Sequence, residues 1–136
     1  MTKKVLCPID GTDHSLHALE TAAEIATKFG AELSLCLVNV AHGGRGALVH
    51  HWSDAEAAEI LDKASKLAAR HGHDGVHSAT IIHRDPASGI LDYADSSGAD
   101  HIVMGTGNRR GLSRLMLGSV AADVAGRAHC TVTIAR

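Results

Sequence analysis

His101 to Val120 reads HIVMGTGNRRGLSRLMLGSV. An apolar run, HIVM, has strand character and feeds directly into Gly105-Thr106-Gly107. A second small pair, Gly118-Ser119, opens a helical segment running to Ala128. Arg109, Arg110 and Arg114 lie between the two glycine clusters. A helix start carries free N–H groups and partial positive charge, so a strand, a glycine loop and a helix in this order can cradle a phosphate. In that reading Gly118 lets the backbone approach, and Ser119 adds a hydroxyl and caps the helix. Gly105 and Gly107 supply φ > 0 turns that aim N–H groups inward. Glycine-rich turns also join strands to helices with no ligand, and these residues alone leave both readings open.

Working outward, strands and helices alternate. Lys4 to Ile9 (KVLCPI) reads as a strand ending at Asp10-Gly11. Ser15 to Phe29 has helical apolar spacing, with Gly30 past its end as a cap. Glu32 to Val40 is an almost continuous apolar strand, as burial on both faces requires. Ala41 to Trp52 is rich in Gly and His, has no period and reads as a flexible loop. A helix follows from Ser53 to Arg70, with Ser53 and Glu56 placed for a capping box. Val76 to His83 is the third strand, and Pro86 opens the next helix, which runs to Ser97. His101 to Met104 is the fourth strand and Thr131 to Ala135 the fifth. The pattern predicts one α/β domain over residues 1–136: a parallel sheet with helices on both faces. Ligands of such sheets bind beyond the carboxyl ends of the strands, where the strand order reverses.

Composition narrows the function classes. The 136 residues carry a net charge of -2, with no long run of one sign, so neither nucleic acid nor a membrane surface is an expected partner. Phe29, Trp52 and Tyr93 are the three aromatic residues, too few for a base-stacking platform. No apolar stretch reaches membrane-span length, and the N-terminus lacks signal-peptide character, so a cytoplasmic location is expected. Cys7, Cys36 and Cys130 sit in or beside apolar runs and read as free thiols. The eleven histidines include His50-His51, His71, His73 and His77; their spacing suits no metal, and solvated loops are expected. Exposed histidines would change the protein's charge between about pH 5 and 7. Ser15, Ser88 and Ser113 have no recognisable base, so no catalytic set is expected. No GxxxxGK[ST] occurs, and no GxGxxG follows the first strand. A phospho-receiver would need Asp after the third strand and Lys after the fifth, where His83-Arg84-Asp85 and Ala135-Arg136 stand.

The chain resembles the universal stress protein family along its whole length. The likeness is strongest in VLCPIDGTDHSLHALETAAEIA, DPASGILDYADSSGADHIVMGT and GLSRLMLGSVAADV. Nucleotide-binding members carry G-x2-G-x9-G-[S/T]; Gly105, Gly118 and Ser119 match it, and Asn108 occupies the second glycine position. Asn is the residue that best replaces a glycine at φ > 0. The family's usual Cys-Pro at the last strand is Cys130-Thr131 here. The resemblance implies a Rossmann-like three-layer α/β/α fold with five parallel strands in the order 3-2-1-4-5. It also implies a homodimer paired through Thr131–Ala135, with a regulatory protein partner of unknown identity. By position it implies that Pro8, Ile9, Asp10, Val38, Met104, Gly105, Thr106, Gly107, Asn108, Arg109, Gly118, Ser119 and Val120 hold ATP, alone or with Mg²⁺, or AMP. From the residues alone, Asp10 is equally a turn-capping residue before Gly11. The expected role is a dimeric stress-response switch worked by the nucleotide. The alternatives are a member without nucleotide that acts through a protein partner, and a slow ATP hydrolase aided by Asp10 and Mg²⁺.

Overall fold

The computed structural model describes residues 1–43, 46–106 and 117–136. Arg110, Arg114 and three of the residues singled out above, Gly107, Asn108 and Arg109, lie outside the described residues.

Five strands form a parallel sheet: β1 (Lys4–Pro8), β2 (Glu32–Gly43), β4 (His77–His83), β5 (His101–Gly105) and β6 (Thr131–Ala135). Their spatial order is β4-β2-β1-β5-β6. That is the expected arrangement, with one addition. A short strand β3 (Leu48–His50) pairs antiparallel with the overhanging end of β2, through Ala41↔His50, His42↔Val49 and Gly43↔Leu48. The stretch read as a flexible loop is therefore largely a β-hairpin. Its sequence hides this because the face-alternating pattern of a half-exposed strand is blurred by histidines and glycines.

Among the described residues four helices cover the sheet: α1 (Asp13–Phe29), α2 (Asp54–Arg70), α3 (Pro86–Ser97) and α4 (Ser119–Arg127). Val5, Cys7, Leu33, Leu35, Leu37 and Val103 face α1 and α2, where Leu19, Ala22 and Leu61 meet them. Leu6, Cys36, Val38, Ile102 and Met104 face α3 and α4, against Ile90, Ala94 and Val124. Both faces of the inner strands are thus buried, which accounts for the unbroken apolar run of β2. The small alanines of α1 and α2 let these helices sit close to the strands. Gly89 of α3 does the same on the other face: a Cβ there would stand 2.9 Å from a methyl of Val38.

Helix ends follow local chemistry. α1 starts two residues ahead of the expected Ser15; Thr12 caps it, and its hydroxyl accepts from the Ser15 amide at 3.3 Å. Gly30 closes α1 at φ 63°, as expected. Ser53 and Glu56 form the full capping box of α2, and the Ser53 amide and hydroxyl hold the Glu56 carboxyl below its ordinary value. Asp85 caps α3, accepting from the Ser88 amide at 2.9 Å and its hydroxyl at 2.6 Å. These bonds, the hydroxyl first, lower the Asp85 carboxyl.

Three expectations need correction. Ser119 does not cap α4; Gly118 is the N-cap, without a side-chain hydrogen bond, and Ser119 is the first helical residue. Gly105 does not adopt positive φ. It is needed because a Cβ there would stand 2.8 Å from the carbonyl oxygen of His14 at the start of α1. His73 is not a solvated loop residue: its Nε2 lies 3.0 Å from the Ala23 carbonyl oxygen and 2.9 Å from Thr27 Oγ1, tying the turn after α2 to α1.

His101 is buried, 7% exposed. It joins β5 to β6 through Thr133 Oγ1 at 2.7 Å and reaches Thr2 Oγ1 at 3.3 Å. Burial lowers its tendency to protonate, against an opposing pull from Asp100. Cys7 and Cys36 are buried as expected, while Cys130 is half-buried. Burial pushes the Cys7 thiol up, and the Cys36 thiol up to about 12, so neither is a nucleophile near neutral pH.

Two measurements check this packing. Gly105→Ala forces the His14 carbonyl away and is expected to cost about 1–3 kcal/mol in urea denaturation. Gly126→Ala, whose Cβ meets nothing within 4 Å, is expected to stabilise by about 0.5–1 kcal/mol. The second concerns pH. The unfolded chain protonates His101 near the ordinary value of about 6.5, while the folded chain resists, so its contribution is present above that pH and lost as pH falls. The stability gap between the parent and His101→Gln is therefore expected to narrow from about pH 8 to about pH 5. A gap that is constant over that range contradicts the assignment.

Candidate functional site

The chain crosses from one half of the sheet to the other between β1 and β5, so the switch point lies at the carboxyl end of β1. A cleft of about 600 Å³ opens there. Such a volume suits a ligand of nucleotide size. Its floor is Pro8 and Ile9 leaving β1, Val38 and Val40 of β2, and Met104-Gly105 ending β5. Its rim is the start of α1 (Thr12, His14, Ser15), Pro86 and Ile90 of α3, and Gly118 to Ala121 at the start of α4.

β1 stops early and β2 runs on. The Ile9 amide donates to the Cys36 carbonyl at 2.7 Å, closing the pairing of the two strands. Further along, the His51 amide donates to the Val40 carbonyl at 2.9 Å. Main-chain groups alternate in direction along a strand, so Cys36, Val38 and Val40 turn theirs toward the same side. Val38 thus stands in the gap between the end of β1 and the hairpin, with its main chain turned toward the cleft. The hairpin supplies the wall of His42, His51 and Trp52. Asn39, 1% exposed, holds that wall. Its Nδ2 donates to the Trp52 carbonyl at 2.8 Å and its Oδ1 accepts the Trp52 amide at 2.9 Å.

Asp10 forms the turn that its sequence also allowed. Its Oδ1 accepts from the Thr12 amide at 2.9 Å and the Thr12 hydroxyl at 2.5 Å, and the residue is exposed to the cleft. The carboxylate thereby fixes the N-cap of α1. On the opposite side the Gly118 amide donates to the Thr106 carbonyl at 2.7 Å, pinning the start of α4 against the end of β5.

The four helix starts differ in one respect. α1, α2 and α3 each have a side chain over their first amides: Thr12, Ser53 and Asp85. α4 has none. The amides of its first turn have no preceding helical carbonyl to bond, and Gly118, Ser119, Val120 and Ala121 line the cleft. An anion placed there would meet N–H groups and the positive end of the helix dipole.

Of the ten described residues singled out from sequence, nine line this cleft; Thr106 contributes its carbonyl behind them. Sequence reasoning missed Thr12, His14, Ser15, His42, His51, Trp52, Pro86, Ile90 and Ala121. The helix-start residues were findable, because the elements after β1 and β4 must begin at the same edge. The hairpin residues were not, since their strand was read as a loop. Among the described residues no group of His, Cys, Asp and Glu is arranged for a metal ion, and no helix is long and apolar enough to cross a membrane.

The sequence profile of the universal stress protein family matches residues 1–136. A universal stress protein of Methanocaldococcus jannaschii is 36% identical, the alignment covering 98% of this chain and 82% of that protein. Among solved structures, a universal stress protein in complex with cAMP superposes with a TM-score of 0.78 at 26% identity, covering 99% of this chain and 97% of that one. One from Archaeoglobus fulgidus in complex with dAMP gives a TM-score of 0.75 at 26% identity, covering 100% and 98%. The matched profile spans every element that builds the cleft, and the chain belongs to the universal stress protein family.

Proposed function

We propose that the cleft binds an adenine nucleotide, ATP or AMP, and that the protein is a dimeric regulatory switch worked by that nucleotide. The observation that carries the reading is the N-terminus of α4, without a side-chain cap among the described residues, opening into the cleft. The phosphates lie over Gly118, Ser119 and Val120, beside Gly105. The base lies toward Pro8, Ile9 and the main chain of Val38, with Met104 beneath. Asp10 borders the ribose. Gly107, Asn108 and Arg109, outside the described residues, belong to the same site by the family's motif. The cAMP and dAMP complexes of similar proteins support an adenine ligand.

A dimer through β6 fits the same frame. β6 pairs with β5 on one side, and no described strand covers its other edge. An apolar edge strand such as TVTIA favours pairing with a second copy. Nucleotide bound at α4 would act on that edge through the short connection from α4 to β6. The dimer would work in the cytoplasm, through a regulatory protein partner.

Calorimetric titration of ATP with Mg²⁺ tests the reading. Binding in the micromolar range is expected. Gly118→Val, which fills the cleft where the phosphates pass, is expected to weaken it by roughly tenfold or more. Asn108→Gly is expected to change affinity little. If the parent fails to bind while Asn108→Gly binds, the natural chain is a member without nucleotide. If neither binds ATP or AMP, the cleft serves another ligand or a protein partner.

A further inference from the structure

The cleft holds a charge pattern that the family motif does not account for. Three histidines line it from three directions: His14 from the first turn of α1, His42 from the end of β2, and His51 from the end of the hairpin. All three are exposed. No lysine or arginine is among the described lining residues, and Asp10 is the one carboxylate there. The described lining therefore carries about one negative charge when the imidazoles are neutral, and a net positive charge when they are protonated. Imidazole is the side chain whose charge depends on pH within the physiological range.

We propose that His14, His42 and His51 are ligand-facing cations of the cleft, and that they tighten binding of a phosphorylated ligand as pH falls. The inference rests on reading the cleft as a nucleotide site. The histidines are held where they can act. His51 donates its amide to Val40 and packs edge-on against Trp52, the ring centroids 4.5 Å apart. Trp52 is in turn fixed by both ends of the buried Asn39 amide. His42 lies within the β2–β3 pairing, opposite Val49. His14 is anchored by its carbonyl, which packs on Gly105.

Among the described residues the surrounding charges leave this pattern in place. Asp10 is committed to Thr12, and Asp13 stands in the first turn of α1 beside His14. From α2, Glu56 lies close enough to His51 for their charges to attract, but its carboxylate is bound to the Ser53 amide at 2.9 Å. At the end of β4, Arg84 reaches the hairpin near Gly43. Asp85 at the start of α3 is bound to Ser88 and faces Arg127. The described lining of α4 is uncharged.

The test compares the parent with a triple variant, His14→Gln, His42→Gln and His51→Gln. Because the three side chains are exposed, the variant is expected to keep the parent's circular dichroism spectrum. ATP affinity is measured for both near pH 8, 7 and 6. The terminal phosphate of ATP itself titrates in this range, so the readout is the ratio of parent to variant affinity. That ratio is expected to grow roughly fivefold or more between the ends of the range, and to shrink when salt is raised. A ratio that stays flat while both proteins bind ATP overturns the proposal and leaves the nucleotide reading intact. A ratio that grows but ignores salt also overturns it, because protonation would then act through shape and not charge. If neither protein binds ATP at any pH, the proposal falls together with the nucleotide reading.

Discussion

Every strand of a parallel sheet points the same way, so every crossover helix must begin at one edge. That single constraint puts the starts of α1, α3 and α4 around the end of β1. Each start brings amides without helical partners and a positive dipole end. A chain with this topology must neutralise or use three such ends within one cleft. It neutralises two with its own side chains, Thr12 at α1 and Asp85 at α3. The third, at Gly118, is left without a side-chain cap. The cost of an unmet helix start is about 1 kcal/mol, which a bound anion would offset.

The glycines of the site divide by physical reason. Gly105 is dictated by the fold: the carbonyl of His14 occupies the space where a side chain would stand. Gly118 adopts φ -63° and ψ 158°, a conformation open to any residue. Its dihedrals therefore do not demand glycine, and in the proposed reading it clears the path of the phosphates. The hairpin answers a different need. β2 outruns β1, and the far end of its overhang, Ala41 to Gly43, is covered by β3 rather than left to pair with another chain. The buried Asn39 makes that cover rigid, with both ends of its amide satisfied.

The parallel sheet was legible because β1, β2 and β5 carry continuous apolar runs separated by helical periods; the order of its strands came only with the family resemblance. The α2 cap was legible because Ser53 and Glu56 encode it in two letters at fixed spacing. The hairpin was not, because its residues pair across a turn that local pattern does not mark. The N-cap of α4 was misplaced by one residue, since serine is the commoner cap and the sequence does not show where the helical dihedrals begin. His73 was misread for a similar reason: its partners, Ala23 and Thr27, are distant in sequence and brought near by α1·α2 packing. The cleft's floor could therefore be read from strand ends, and its histidine wall only from tertiary pairing.

The central claim is that the bare first turn of α4 receives the ligand's phosphate. The most direct measurement is two-dimensional amide NMR of the labelled protein during addition of AMP. The account predicts that the Ser119, Val120 and Ala121 amides move first and furthest, with the capped first turn of α2, Asp54 to Glu56, unmoved. Shifts confined to other helix starts, with α4 silent, would contradict it.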